Sequence, residues 1–137
     1  MVAYSFNKRF IDPIRVGLSR VSLSFDCPPK RQTIRAIGKR RHARPGETLQ
    51  LYHAQRTKQC VKIGEARCVS VERIVIQVPK DDCWLRVKIG NEEPFEATDA
   101  FAIEDGFQDV EDMWRFWRDE HPDVATFSGI LIKWAAP

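Results

Sequence analysis

The residues of this chain with the most chemistry fall within one short stretch. Lys30-Arg31-Gln32-Thr33-Ile34-Arg35 is followed by Lys39-Arg40-Arg41-His42-Ala43-Arg44, and seven of the fifteen positions from 30 to 44 are Lys or Arg. In an extended strand alternate side chains share a face, so Thr33 and Arg35 point the same way, and Lys30 can reach that face from the preceding turn. A hydroxyl beside a guanidinium and an amine can bind a phosphate or an oxyanion. The same set can supply a nucleophile with a nearby base. A plain basic loop at the start of a strand has the same composition, so these residues alone leave both readings open.

Acidic partners are fewer. Glu104 and Asp105 end a short helical stretch just before Gly106, where the chain turns. Carboxylates are unfavourable at the negative end of a helix dipole, which points to a role in a cleft. An ordinary exposed helix end is the other reading. Tyr52 lies near the basic stretch in sequence, and Trp84 is expected near it in space; either can stack a base. His42 and His53 have no Ser or Cys partner at a known spacing and read as surface residues. The four cysteines form no C-x-x-C pair and no His pair has ligand spacing, so no metal site is expected. Cys60 and Cys68 read as small core residues, and Cys27 before Pro28-Pro29 as an exposed loop residue. Gly38-Lys39 lacks the rest of a phosphate-binding loop, and no cofactor is expected.

These side chains need elements to hold them. Residues 2–6 read as a strand, and Phe10, Ile11, Ile14 and Leu18 as the apolar face of a short helix over 10–18. Residues 19–29 read as an extra strand or an inserted loop. Extended structure is predicted over 32–37, a basic loop over 38–45, and a turn at Pro45-Gly46-Glu47. Strands follow at 48–54, 59–64 and 66–78, with Gly64 marking a turn or bulge, and another runs around Trp84, Val87 and Ile89. Thr98 caps a helix ending at Gly106. Asp109 caps a second, whose Val110, Met113, Trp114 and Trp117 form a core-facing stripe. Residues 127–134 close the chain as a strand that could pair with the first. The expected fold class is α+β, mainly β: a single domain over 1–137 built as a small β-barrel or curved sheet with short helices covering its ends.

Composition narrows the function. The chain has 137 residues, 43% apolar and 30% charged, enough for one packed core without staples. No apolar run approaches the ~18 residues of a membrane span, and the N-terminus lacks the apolar stretch of a signal peptide, so a cytoplasmic location off the membrane is expected. Residues 1–68 carry 15 Lys or Arg against 4 Asp or Glu, whereas 69–137 carry 7 against 15. A basic half suggests one positive face and an anionic partner, a nucleotide or nucleic acid. Mutual neutralisation of the two halves is the alternative.

Several segments together resemble the ASCH domains of the PUA-like superfamily. They are Phe6-x-x-Arg9-Phe10, Lys30-x-x-Thr33-x-Arg35, Arg44-Pro45-Gly46-Glu47-Thr48-Leu49, Glu104-Asp105-Gly106-Phe107 and Ile130-Leu131-Ile132-Lys133-Trp134. The resemblance spans nearly the whole chain and implies a β-barrel with a basic cleft for a nucleoside or RNA. It departs at 19–29, which intervenes before the Lys element as an apparent insertion, and at 77–94, which is longer than in the smallest members. Small bacterial members that the chain is similar to hydrolyse N4-acetylcytidine to cytidine and acetate with a Lys, a Thr and a Glu. Carried over, these imply Lys30, Thr33 and either Glu104 or Asp105 as the catalytic group. Arg35, Lys39, Arg40, Arg41, Arg44 and Tyr52 would then bind substrate or RNA. Other members are implied to bind RNA or to cleave single-stranded RNA.

Overall fold

The computed structural model describes residues 1–19 and 27–137. Residues 20–26, the centre of the expected insertion, lie outside the described residues. The chain is mixed α and β, mainly strands. Strand β1 spans Val2–Phe6, a 3-10 turn spans Lys8–Phe10 and helix α1 spans Ile11–Leu18. Strands β2 (Gln32–Ala36), β3 (Thr48–His53), β4 (Val61–Gln77), β5 (Arg86–Ile89) and β6 (Phe95–Glu96) follow. Helices α2 (Asp99–Glu104) and α3 (Val110–Glu120) precede the closing strand β7 (Thr126–Ala135).

One long strand organises the sheet. The expected strands 59–64 and 66–78 are a single element, β4, because Gly64 makes a bulge rather than a turn: Leu51 pairs with Gly64 and Tyr52 with Lys62. A Cβ on Gly64 would come within 2.8 Å of the Leu18 side chain, so its absence lets α1 lie against β4. Arg67 pairs with Thr48 of β3 on one edge and Ala135 of β7 on the other; further along, Ile74 pairs with Ile89 of β5 and with Gly129 of β7. β3 and β5 therefore follow one another along one edge of β4, and β7 lines the other. A second bulge between Cys68 and Ser70 turns Val69 outward, where it is 56% exposed.

The sheet is not a closed barrel. β1 pairs in parallel with β3, not with the last strand as the sequence suggested, and among the described residues β2 pairs only with β7. The free edges of β1 and β2 leave a seam. Side chains bridge it: Arg35 Nη2 donates to the Ser5 carbonyl (2.8 Å), and His42 lies between the Ala36 carbonyl (2.8 Å) and the Tyr4 hydroxyl (3.1 Å). Nε2 donates to the Ala36 carbonyl, Nδ1 shares a hydrogen bond with the Tyr4 hydroxyl, and the Tyr4 oxygen also accepts from the Ala43 N–H (3.1 Å).

The helices form as their caps dictate. Thr98 accepts from the Phe101 N–H and starts α2; Asp109 accepts from the Asp112 N–H and starts α3. Met113 and Trp117 of the stripe are buried as expected, and Val110 and Trp114 pack at the edge of the core. Arg9 fixes the 3-10 turn to α3 by pairing with Asp112 (2.6 Å) while its guanidinium lies over the Phe107 ring (4.9 Å). Cys68 is a core residue as expected, but Cys60 is exposed, because it falls in the turn before β4 rather than within a strand. Cys27 is half-buried rather than exposed. Among the described residues no helix is long and apolar enough to cross a membrane.

Helix α1 meets the chain at Lys30 through Gly17, where a Cβ would come within 2.2 Å of the Lys30 carbonyl oxygen. Both partners are backbone and cannot rotate away. Gly17→Ala is expected to destabilise the fold by about 1–3 kcal/mol, the usual range for overpacking, read as a lower denaturant midpoint.

Candidate active site at the open seam

A cavity of about 280 Å³ opens at the seam. Its lining includes Ser5 and Phe6 from β1, Lys30 just before β2, Thr33–Ala36 from β2, Asp105 and Phe107 after α2, and residues of α3 and β7. Three of the residues singled out by type and spacing thus line one cavity with an acid: Lys30, Thr33 and Arg35, with Asp105.

Lys30 is held from four sides. Its N–H donates to the Pro13 carbonyl of α1 (2.9 Å), and the next N–H, of Arg31, donates to Glu104 (2.8 Å). Its Nζ donates to the Asp105 carbonyl oxygen (2.6 Å) and to Asp105 Oδ1 (3.2 Å). The ammonium also lies 4.5 Å from the centre of the Phe10 ring. Gly106 turns the chain with φ +91°, and a Cβ there would come within 2.9 Å of the Lys30 side chain. Only glycine supplies both that conformation and that space.

Lys30 is 2% exposed and Asp105 4%. Burial pushes Lys30 down from its ordinary value, against the pull of the Asp105 charge. Burial pushes Asp105 up, opposed by Lys30 and more weakly by Arg35. Each group is driven towards its neutral form. A neutral Lys30 keeps two N–H donors for Asp105 and presents one lone pair.

Thr33 is 4% exposed. Its Oγ1 accepts from Arg35 Nε (3.1 Å), which leaves its own O–H free to donate. Arg35 is anchored in turn by the Ser5 carbonyl and lies over the Phe6 ring at 4.5 Å, so the guanidinium fixes the hydroxyl from across the seam.

The other candidates lie elsewhere. Glu104 is exposed, and Asp105 is the acid that meets Lys30. Arg40 and Arg41 line a second cavity with Arg35, Ala36, His42 and Tyr4, so the two cavities meet at Arg35 and Ala36. Arg41 is itself paired with Glu47 (2.6 Å). Lys39 and Arg44 are exposed and line neither cavity. Tyr52 donates to Gln50 on its own strand and also lines neither. Trp84 sits with Asp82, Arg86 and Glu96, away from the basic stretch. His53 Nδ1 donates to the Phe6 carbonyl (2.8 Å), a structural contact.

Other residues at the site escaped the sequence reading. Gln32 is fully buried, and neither end of its amide makes a well-formed hydrogen bond; its nearness to Asp105 favours that carboxylate. Trp117, His121 and Phe127 complete the cavity. Trp117 belongs to the core stripe, and nothing in the spacing of His121 or Phe127 marks them. Among the described residues no cluster of His, Cys, Asp or Glu could hold a metal ion.

Removing one partner of a buried ion pair leaves a buried polar group uncompensated. Lys30→Met and Asp105→Asn should each cost about 3–5 kcal/mol of stability, and Lys30→Met with Asp105→Leu less than either, measured by urea denaturation. No family model, no curated protein and no solved structure matches the chain.

Proposed function

We propose that the chain is an amidohydrolase of the ASCH kind in the PUA-like superfamily, removing the acyl group from N4-acetylcytidine-type substrates. The observation that carries this reading is the buried Lys30–Asp105 pair lining one cavity with the Arg35-held Thr33 hydroxyl. A hydroxyl nucleophile, an amine driven towards neutrality and a neighbouring acid are the parts that acyl transfer needs.

Thr33 Oγ1 attacks the acyl carbon while neutral Lys30 takes the hydroxyl proton. The tetrahedral oxyanion forms beside Arg35, a fixed cation. Lys30 returns its proton to N4 as the C–N bond breaks, which releases cytidine and leaves an acetyl ester on Thr33. Water then attacks that ester with Lys30 again as base, and Lys30 gives the proton to Thr33 Oγ1 as the C–O bond breaks, which restores the hydroxyl and releases acetic acid, ionised to acetate in water. Asp105 positions the amine through its two hydrogen-bond acceptors and holds the positive charge when Lys30 is protonated.

A second reading has its own support. Arg35 and Ala36 line both this cavity and the cavity of Arg40, Arg41 and His42, so cationic side chains continue from one to the other, as a strand of RNA would need. In that reading the same residues bind or cleave single-stranded RNA.

The test is release of cytidine from N4-acetylcytidine. Thr33→Ala and Lys30→Ala should lower turnover by at least about 100-fold, the usual contribution of a general base or more; Thr33→Ala keeps the fold, and Lys30→Ala, which also loses the buried pair, is compared at a temperature where circular dichroism shows it folded. Turnover should rise with pH through the lowered pKa of Lys30 and reach its plateau below the value of about 10.4 of a free lysine, because the base acts only when neutral. Full turnover in Thr33→Ala would overturn the mechanism. No turnover by the wild type, with oligonucleotide binding that weakens steeply with salt and with Arg35→Ala, would establish the RNA reading instead.

A further inference from the structure

The cavity has an end that the steps above leave unused. Its lining follows β2 from Lys30 to Ala36 and is completed there by Trp117, His121 and Phe127. β7 runs antiparallel to β2 with Gly129 opposite Ala36, so Phe127 lies beyond the Ala36 end. Gly129 makes room for this ring: a Cβ there would come within 2.5 Å of Phe127 and 2.4 Å of the Arg35 carbonyl oxygen. Phe127 is therefore seated over Gly129, beside the strand that carries Thr33 and Arg35.

The three rings form one cluster. Trp117 meets Phe127 at 4.9 Å and 61°, and His121 at 4.9 Å and 35°. Trp117 is 5% exposed and supports the others from the core. His121 and Phe127 are half-buried and show ring surface. His121 caps α3 with its backbone N–H bonded to Trp117, and among the described residues neither nitrogen of its ring is in a hydrogen bond. A half-buried imidazole with unused nitrogens, packed on aromatic rings at the edge of a cavity, presents both a stacking face and a hydrogen-bonding edge.

The spacing sets what fits. From Thr33 to Ala36 the strand advances about 10 Å at ~3.3 Å per residue. That leaves room for a six-membered ring and its amide between the hydroxyl and the aromatic end. A purely aliphatic acyl amine would leave the imidazole nitrogens unused.

We propose that His121 and Phe127 form a ring-binding subsite for a planar heteroaromatic ring of the pyrimidine-base class. Phe127 stacks on the ring and His121 hydrogen-bonds its edge. This rests on the reading of the cavity as an acylated-nucleobase site and adds the residues that select the base.

The experiment separates binding from chemistry. Cytidine binding to the full chain is measured by titration calorimetry for the wild type, Phe127→Leu and His121→Ala, beside kcat and KM for N4-acetylcytidine. Both substitutions should weaken cytidine binding about ten- to a hundredfold, the range of a lost base–aromatic stack, and raise KM while kcat is kept. Thr33→Ala should show the opposite split, with kcat lost. His121→Ala carries the test by itself if Phe127→Leu does not fold. Cytidine binding that depends on His121 and Phe127 without any hydrolysis by the wild type would uphold the subsite and overturn the amidase. Undiminished binding in both variants, or no cytidine binding by the wild type, would overturn the subsite.

Discussion

The structure is arranged around one costly contact, the buried pair of Lys30 and Asp105. Taking an ammonium and a carboxylate out of water costs several kcal/mol per ion, and their attraction offsets this only where geometry and further hydrogen bonds are good. The fold supplies them locally. The Asp105 carbonyl accepts from the same Nζ as its carboxylate, and Phe10 offers the face of its ring. Two glycines clear the space, Gly17 for the backbone of Lys30 and Gly106 for its side chain. Helix α1 and the end of α2 are thus clamped to the start of β2, and what they clamp is a pair that burial drives towards neutrality.

The open seam is the second half of the design. Had β1 and β2 paired, the hydrogen bonds now made by Arg35 and His42 would be made by backbone, and the cavity would be filled by a strand edge. Instead β1 joins β3 and β2 joins β7, and Arg35 spans the gap to Ser5. Unpaired strand edges are a hazard in most sheets. Here side chains bridge the gap between them. The guanidinium that closes the seam is also the group that orients Thr33, so stability and site geometry share one residue.

Local rules made much of this readable. Strand-forming residue types between turn residues located β1, β2, β3 and β7, the Thr98 and Asp109 caps located α2 and α3, and the alternation of side chains along a strand put Thr33 and Arg35 on one face. Gly64 was ambiguous because a bulge and a turn ask the same of a residue, and only pairing with Leu51 and Tyr52 distinguishes them. The two-residue β6 was missed, since two residues carry no periodicity. Lys39 and Arg44 are exposed loop cations outside both cavities, and the Tyr52 hydroxyl bonds Gln50 on its own strand, placements that depend on the path of the loop and not on residue type.

Sequence alone determined which residues had chemistry to offer and where most of the strands and helices run, because those depend on side-chain type and on neighbours a few positions away. Tertiary structure decided the rest. Neighbouring residues at a helix end point about 100° apart, so only the docking of α2 against β2 selects Asp105 over Glu104. Only the pairing of β1 with β3 leaves the sheet open rather than closed, and only the return of β7 beside β2 and the packing of the end of α3 bring Phe127 and His121 to a cavity that begins at β1. Each is a contact between distant parts of the chain, set by how layers pack rather than by any local pattern.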